Sequence, residues 1–381
     1  METPFIFGKM VEGMEFTNRT KETQELSNNF ISGTNTTIIS PRRWGKSSLV
    51  AKAALYTSKK EKNIRFCLID LFNVRSENEF YQLYAQEILK ATASKWDEIR
   101  DNTKKFLGKF IPKISFSPDE GSELSLGLDW QEVKKQPDEI LDLAEKIAQA
   151  KKIKIVVCID EFQNIADFGE SLAFQKKLRA HWQRHKNVSY CLYGSKRNMM
   201  IHVFSSSSMP FYKFGHLMFL EKITHADWIK FIVERFADTG KKINASDAGL
   251  IADLCECHPH YVQQLAQQVW LRSPKKCNTI IINEAYESLI LQLSLLFQTI
   301  TDELSSTHVN FLHALLDGTE QFSSKETLRR YQLGTSANVL RIKHALINKE
   351  IIDTLANNIQ FNDPIYKAWL KKVYFRNVRV G

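Results

Sequence analysis

The sequence lacks any stretch that approaches about 18 uninterrupted apolar residues, the length that a helix needs to cross a bilayer. Its first residues also lack the basic segment and following apolar run that mark a secretory signal peptide. We therefore expect a protein that does not span a membrane. A reducing cytoplasm is the expected compartment.

Cysteine is scarce, with six residues in the chain of 381, and its spacing suggests no disulfide framework. Cys255 and Cys257 lie close to His258 and His260, but residues two apart diverge on a helix. No second Cys or His pair follows at the spacing of metal ligands. The pattern therefore favours ordinary core cysteines over a zinc site. Internal repeats, low-complexity tracts and a Ser–His–Asp constellation are absent as well.

Acidic residues are fewer than basic ones, 43 against 52, which gives a formal net charge of +9. Such a balance permits a nucleic acid or another anionic partner, although a solvated basic surface would explain it equally well. Hydrophobic residues make up 43% of the chain, enough for a substantial core. Because the chain is too long for one ordinary compact domain, we expect two or three.

The first two-thirds of the chain alternate short apolar runs with amphipathic helical patterns. Because the runs are continuous rather than alternating, they indicate parallel strands buried on both faces of a sheet, joined by helical crossovers. They cover residues 36–40, 64–70, 153–160, 188–193 and 217–220. Residues 113–129 break the rhythm with two β-like pieces around a turn, which indicates an inserted hairpin. An irregular loop is the alternative.

Helical patterns replace the strands beyond about residue 224. From about residue 302, three helical segments precede two short strands and a helix that begins at Pro364, which is the layout of a winged helix. The fold class is therefore α/β with added helical parts. We expect an α/β domain over residues 1–223, a helical domain over 224–301 and a winged helix over 302–381.

The strongest local signal is SPRRWGKS, Ser40 to Ser47, which follows an apolar strand and opens a helix. This is the context of a P-loop, whose backbone N–H groups surround phosphates at the positive end of a helix. Lys46 would contact the β- and γ-phosphates, and the Ser47 hydroxyl would bind Mg²⁺. Ser40 stands where the motif usually has its first glycine. The candidate nucleotide-binding residues of this loop are Pro41, Arg42, Arg43, Trp44, Gly45, Lys46, Ser47 and Ser48.

A second signal is Asp160-Glu161, at the end of the apolar run 153–160. Open α/β sheets bind ligands at the carboxyl ends of their strands, so both motifs would lie at one sheet edge. We expect Asp160 to hold Mg²⁺ through water and Glu161 to polarise the attacking water. The alternative, two charges that merely end a buried strand, is weaker once the P-loop is considered with it.

A third signal, GSKR at residues 194–197, directly follows the run 188–193. A polar residue here would lie between the P-loop and the strand that ends in Asp160, where it could sense the γ-phosphate. Arg197 is the preferred candidate because a guanidinium group can bind phosphate oxygens through two hydrogen bonds. A solvated basic loop is the alternative.

These motifs together resemble those of the archaeal and bacterial ATPase family, in the STAND branch of the AAA+ proteins. The Arg42-Arg43 pair is typical of that family, so Ser40 is a smaller departure than it first seems. The matching pieces keep the family order over nearly the whole chain and are FTNRTKE (16–22), SPRRWGKSSLV (40–50), IDEFQNI (159–165), YGSKRNMM (193–200), PFY (210–212), HPHY (258–261) and DPIYKAWL (363–370).

The resemblance implies a sheet with strand order 5-1-4-3-2, a helical lid and a C-terminal winged helix. It also implies that Phe16 and Arg19 border the base and ribose of the nucleotide. Pro259 would start the lid helix that closes over it. The implied cofactors are ATP or ADP together with Mg²⁺.

The expected function is that of an ATP-dependent molecular switch with slow, Mg²⁺-dependent hydrolysis, because STAND proteins are often slow switches. The alternative is a non-catalytic module in which the nucleotide is structural and the winged helix binds DNA or a protein. The Lys46, Ser47, Asp160 and Glu161 set favours the enzyme, whereas the net charge mildly favours the module. In a winged helix the segment Ser336–Lys349, with Arg341 and Lys343, would enter the DNA groove.

Overall fold

The computed structural model describes residues 3–9, 18–93, 96–107, 114–118, 124–128, 137–355 and 358–378. Contacts divide the chain into two compact units. The first, here called the sheet unit, comprises Arg19–Glu221. The second, here called the helical unit, comprises Met1–Asn18 and Lys222–Gly381. Each unit contains a hydrophobic core of its own.

A parallel sheet of five strands forms the centre of the sheet unit. Its strands are β1 (Thr36–Ile39), β2 (Ile64–Asp70), β5 (Lys154–Asp160), β6 (Val188–Gly194) and β7 (His216–Phe219). They lie in the order β2-β5-β6-β1-β7. Read from the other edge, and numbered without the two strands of the hairpin segment, this is the predicted order 5-1-4-3-2. Because β6 lies between β1 and β5, the loops after these three strands meet at one edge.

Burial along the strands follows their place in the sheet. Every residue of β6 is buried, and in β5 all but the two terminal residues are. The edge strand β2 alternates instead, with Leu68 47% exposed. The prediction of strands buried on both faces is therefore correct for the interior strands, whereas an edge strand has one partly solvated face.

Helices flank this sheet, and the helix Lys46–Lys60 directly follows the loop after β1. A separate antiparallel pair joins β3 (Ile114–Pro118) to β4 (Leu124–Leu128), within the segment expected to form a hairpin. The remaining helices of this unit are Thr20–Ser32, Glu77–Ala91, Trp96–Leu107, Pro137–Leu141, Leu143–Lys151, Ser171–Trp182, Arg197–Ser205 and the 3-10 helix Phe162–Asp167.

The helical unit consists of helices and one short antiparallel pair, β8 (Ile352–Leu355) with β9 (Asn358–Phe361). Three helices precede this pair, in the arrangement expected of the terminal segment. In chain order the helices are His225–Asp238, Ala245–Leu254, Pro259–Arg272, Thr279–Gln292, Ser294–Asp302, Ser306–Leu316, Lys325–Arg330, Ser336–Asn348, Pro364–Trp369, the π-helix Leu370–Tyr374 and Phe375–Val378.

Short polar residues start many of these helices and fix where they begin. The side chains of Thr224, Asn244 and Thr335 each accept a hydrogen bond from a backbone N–H of the first turn. Two tertiary contacts then connect the middle and terminal parts of the unit. The Tyr261 hydroxyl donates to Asp363, and the hydroxyls of Thr301 and Tyr366 lie 2.9 Å apart.

No single helix among the described residues combines the length and apolar character that crossing a membrane requires. The helices Thr279–Gln292 and Ser294–Asp302 meet the length and composition test only as a pair, bent by 43°.

Candidate nucleotide-binding site

The loop between β1 and the helix Lys46–Lys60 forms the first part of the site. Gly45, the residue before the helix, has a φ of 85°, in the left-handed region that strains residues with a side chain. Arg43 also has a positive φ, 62°. These turns lead the chain into the helix N-terminus, where the first N–H groups have no acceptor within the helix and favour an anion. The segment SPRRWGKS thus adopts the strand–loop–helix arrangement predicted for it.

Lys46 is the first helical residue, and only 6% of it is exposed. Its ammonium group donates hydrogen bonds to the carbonyl oxygens of Pro41, at 3.0 Å, and Ser40, at 3.4 Å. A cation this buried needs acceptors or a counter-charge, because desolvation disfavours its charged form. The loop therefore holds a positive charge beside the N–H groups of the helix start, and both suit phosphate oxygens.

Ser47 connects the loop to the end of β5. Its hydroxyl donates to the Asp160 carboxylate, with 2.5 Å between Oγ and Oδ2. The sheet order explains this contact, because β1 and β5 end at the same edge with only β6 between them. A hydroxyl and a carboxylate in contact provide the hard oxygen ligands that Mg²⁺ prefers. The predicted metal ligands are therefore adjacent.

The environment of Asp160 stabilises its protonated form. Burial raises the pKa of this carboxyl above its usual value, although hydrogen bonds from the Ser47 hydroxyl and the Glu161 backbone oppose the shift. The charge of Glu161 raises the pKa further, and that of Lys46 lowers it. A divalent cation at this carboxylate would favour the ionised form, so the residues present fit the expected metal.

Glu161 has an unusual backbone and a crowded carboxylate. Its φ of 51° is uncommon for a residue with a side chain, and such strained residues are frequent at functional sites. Its Oε2 accepts hydrogen bonds from Gln163 Nε2 at 2.5 Å, Ser195 Oγ at 2.9 Å and Ser195 N at 3.3 Å. The side chain therefore lies toward the end of β6.

A cavity of about 530 Å³ opens beside Glu161. Its lining comes from the P-loop and from the segments after β2, β5 and β6, so it extends along the carboxyl edge of the sheet. Three of the lining residues are basic and two are acidic. The lining residues are Arg42, Phe72, Val74, Arg75, Glu161, Gln163, Asn164, Asp167, Ser195 and Lys196.

The other predicted contacts of the sheet unit lie in several places. Trp44 and Ser48 are buried, whereas the side chains of Arg42 and Arg43 are exposed. Arg19 precedes the helix Thr20–Ser32, and its Nη1 pairs with Glu22 at 2.8 Å. Among the described residues, its buried Nη2 has no hydrogen-bond partner.

Three predicted residues need separate comment. Arg197 is half-buried at the start of the helix Arg197–Ser205, and the preceding Lys196 lines the cavity instead. Pro259 is the first residue of the helix Pro259–Arg272 in the helical unit. Phe16 lies outside the described residues.

Eight of the ten lining residues were not among the candidates drawn from the sequence, and they include Arg75, Gln163, Ser195 and Lys196. Ser195 and Lys196 are adjacent to the candidate Arg197, so the segment was identified but a different residue was preferred. Gln163 follows Glu161 by two positions, and in the sequence only its place inside the motif IDEFQNI marks it. Arg75 follows β2, where no motif had indicated a site.

Comparison with known proteins finds a match to one protein family. Residues 10–192 match the model of a family described as "Predicted AAA-ATPase". This span includes the P-loop, Asp160 and Glu161. The match covers 183 of the 381 residues, just under half of the chain, and shows a similarity to that family. This similarity agrees with the resemblance that the motifs indicate, while no curated protein matches the chain.

Solved structures with a similar fold include proteins of Pyrococcus abyssi and Aeropyrum pernix. A Walker-type ATPase of Pyrococcus abyssi shares 15% identity with a TM-score of 0.67, over 97% of this chain and 100% of its own. The ORC2 protein of Aeropyrum pernix, in ADPNP–ADP complexes, shares 14% identity with a TM-score of 0.56, over 95% of this chain and 94% of its own. The ORC1 protein of the same organism, in complex with DNA, shares 11% identity with a TM-score of 0.50, over 99% and 100%. At such identities the likeness shows the fold.

Proposed function

We propose that the chain is an ATPase that binds ATP with Mg²⁺, hydrolyses it slowly and acts as a nucleotide-dependent molecular switch of the STAND type. The observation that carries this proposal is the 2.5 Å contact between Ser47 Oγ and Asp160 Oδ2 at the start of the P-loop helix. This contact joins residues of two separate motifs, both proposed as metal ligands, and Lys46 and Glu161 are their neighbours in the chain. The family match and the archaeal ATPase neighbours support the ATPase part of the proposal.

The residues of the loop would bind the phosphates. Lys46 can exchange its two carbonyl contacts for phosphate oxygens, and the N–H groups at the helix start can donate to them. Ser47 and Asp160 would hold Mg²⁺, which when bound neutralises phosphate charge.

Glu161 is the proposed general base. It would orient a water molecule and accept its proton, and the cavity beside it has room for that water. Its carboxylate must remain ionised for this role. Its Oε2 accepts hydrogen bonds from Gln163 and Ser195, which hold the side chain in place.

Further contacts are proposed from the motif resemblance and from position. Arg19, whose Nη2 is buried and lacks a hydrogen-bond partner in the described part of the chain, would contact the nucleotide with Phe16. Arg197 remains the proposed γ-phosphate sensor, and Lys196 is a second candidate because it lines the cavity. The helix that starts at Pro259 is proposed as part of a lid, and residues 302–381 as a winged helix.

Single-turnover hydrolysis of radiolabelled ATP by excess purified chain, with Mg²⁺ or with EDTA, tests the enzyme. Any nucleotide that co-purifies is identified at the same time. We expect Mg²⁺-dependent turnover that Lys46→Ala abolishes, with at least a tenfold loss of affinity, because a charge-assisted contact to phosphate contributes about 1.5–3 kcal/mol.

The Lys46→Ala experiment needs a control for folding and for total charge. Lys59→Ala removes the same charge from an exposed position on the same helix and should leave binding and turnover unchanged. Circular dichroism should show both variants folded. Unchanged affinity and turnover in folded Lys46→Ala would disprove the P-loop assignment. Tightly held ADP without turnover in the wild-type chain would favour the non-catalytic module.

The module is retained as a second candidate because of the helix Ser336–Asn348. It exposes Arg341 and His344 one turn apart, with Lys343 half-buried between them. A basic helix face of this kind can contact the phosphates of DNA. The ORC1 neighbour, solved in complex with DNA, offers a precedent for the fold. Contact with a protein partner is the other use of this surface.

A further inference from the structure

Gln163 is a fully buried polar side chain beside the proposed active site. It has no exposed surface, and its Nε2 lies 2.5 Å from Glu161 Oε2. The same Nε2 lies 3.3 Å from the side-chain oxygen of Asn164. Only the amide nitrogen can donate to a carboxylate, so these two contacts fix which way round the amide lies.

The other end of this amide is unsatisfied. Gln163 Oε1 is buried and has no hydrogen-bond partner among the described residues. A buried acceptor without a partner costs about 1–3 kcal/mol, so a residue kept only for packing would be expected to be apolar. The side chain therefore carries an unfavourable, unsatisfied Oε1 together with the Nε2 that donates to Glu161.

The end of β6 is shaped around this side chain. A Cβ atom at Gly194 would lie 1.8 Å from Gln163 Oε1, so no residue other than glycine fits while the amide keeps its place. The next residue, Ser195, donates to Glu161 Oε2 through its hydroxyl at 2.9 Å. The absence of a side chain at Gly194 and the hydroxyl of Ser195 together allow both donors to reach one carboxylate oxygen.

We infer that Gln163 is a positioning residue for the general base: with Ser195 it fixes the Glu161 carboxylate through Oε2 so that the other oxygen, Oε1, can orient the attacking water. This inference rests on the proposed ATPase function. Glu161 itself has a left-handed backbone conformation, with a φ of 51°, and without these contacts its side chain would sample several rotamers. Fixing it before the reaction lowers the barrier without altering nucleotide binding.

Gln163→Met is the main test, because methionine keeps the length and removes both the donor and the unsatisfied acceptor. We expect kcat to fall about tenfold or more, the size seen when a partner that orients a functional group is removed. KM for ATP should stay unchanged, since the hydrogen bonds of Gln163 reach neither the P-loop lysine nor the proposed metal ligands. The melting temperature should not fall, because the substitution also removes a buried acceptor that lacks a partner in the described part of the chain.

Gln175→Met is a matched control. Gln175 is also buried in the sheet unit, at 1% exposure, and its Oε1 likewise lacks a hydrogen-bond partner in the described part of the chain. Its Nε2 contacts Ser171 rather than Glu161. The control should keep wild-type kcat. A kcat of wild-type size in Gln163→Met, or equal losses in the two variants, would overturn the inference.

Gln163→Glu gives a readout that packing alone would not change and that remains available if the methionine variant folds poorly. At neutral pH two carboxylates would face each other, and kcat should fall. As the pH decreases, the introduced carboxyl group should bind a proton, donate to Glu161 and partly restore activity relative to wild type. A loss that is the same at every pH would contradict positioning. Absence of turnover in the wild-type chain would overturn the proposed ATPase itself. Normal turnover in the wild type together with wild-type kcat in Gln163→Met would overturn only the inference about Gln163.

Discussion

Glu161 combines a strained backbone, three hydrogen-bond donors on one oxygen and a place at the cavity wall. Glu161→Gln keeps the shape of the side chain but cannot accept a proton. We expect hydrolysis to fall by about a hundredfold or more, the range for loss of a general base, while ATP binding persists. Single-turnover hydrolysis and equilibrium binding of ATP measure the two effects separately.

Glu170→Gln is the corresponding control, because it makes the same chemical change at an exposed position after the 3-10 helix. It should leave both quantities unchanged. Hydrolysis at the wild-type rate in Glu161→Gln would mean that another group orients the water. Loss of ATP binding would instead assign Glu161 to the metal.

Asp160 shows how the same site can cost stability. Because burial raises its pKa in the folded chain, the folded state holds this proton at pH values where the unfolded chain has lost it. Stability from this group is therefore complete below the unfolded pKa and is lost as the pH rises through the folded pKa. Asp160→Asn should remove that pH-dependent loss and, in metal-free buffer, leave the free energy of unfolding equal or higher at neutral pH.

Urea unfolding of wild type and Asp160→Asn checks the sign of this pH dependence. It is measured in metal-free buffer across the pH range between the unfolded and folded pKa values of Asp160. The variant should also lose Mg²⁺-dependent hydrolysis, so that stability and function change in opposite directions. If the free energy of unfolding of the wild type instead rises with pH over this range, hydrogen bonds rather than burial determine the direction of the Asp160 pKa shift. Asp167→Asn controls for the removal of a charge, because Asp167 is exposed and lines the same cavity.

Elements of the sheet unit show which parts of the structure could be predicted from sequence. The apolar runs located all five strands within about a residue, because continuous burial leaves a continuous apolar pattern. The order of the strands depended on the family resemblance, since the pattern alone does not reveal neighbours. The contact between Ser47 and Asp160 then followed from two motifs on one edge.

Gln163 and Ser195 illustrate what the sequence could not reveal. Their contact with Glu161 depends on the left-handed turn at Glu161 and on the direction of the 3-10 helix Phe162–Asp167. Neither feature has a periodic signature, and glutamate is not a residue expected at positive φ. The choice of Arg197 over Lys196 was likewise a choice between neighbouring basic residues that only side-chain direction can separate.

Gly45 is the point at which loop geometry and helix start depend on one residue. Its φ of 85° means that Gly45→Ala should destabilise the chain by about 1 kcal/mol or more and weaken ATP binding by misplacing the first N–H groups. The measurement is chemical unfolding together with an ATP titration. Gly169→Ala is the control, because Gly169 has no positive φ and its added Cβ would meet no atom within 4 Å. Equal effects of the two substitutions would contradict the argument from backbone strain.

At the scale of the whole molecule, the helical unit is the second of the two compact units. It carries its own core, from Phe5 through to Phe375. Its proposed roles as lid and winged helix rest on element order and on resemblance rather than on a chemical site. The basic excess of the chain, +9, needs a partner of opposite charge only if it is concentrated on a binding surface. The helix Ser336–Asn348 is where that question can be tested.

If this helix binds duplex DNA, binding should weaken steeply with salt, because each phosphate contact releases counterions. Arg341 is exposed, whereas Lys343 is half-buried two residues later, so we expect at most one base-directed side chain. Binding should therefore be weak and largely independent of sequence. The double variant Arg341→Ala, Lys343→Ala should lower affinity equally for unrelated duplexes and reduce the salt slope by about 1–2.

The measurement is a salt titration of binding to several unrelated duplexes, with and without ATP. Lys275→Ala, an exposed basic residue of the same unit outside this helix, shows whether any loss reflects total charge alone. Tight binding to a single sequence would mean that the helix reads base edges after all. No binding even at low salt would exclude DNA as the partner and leave the exposed Leu340, Arg341 and His344 surface to a protein contact. Since the proposed ATP site lies in the sheet unit, a difference between the titrations with and without ATP would be direct evidence for the proposed switch.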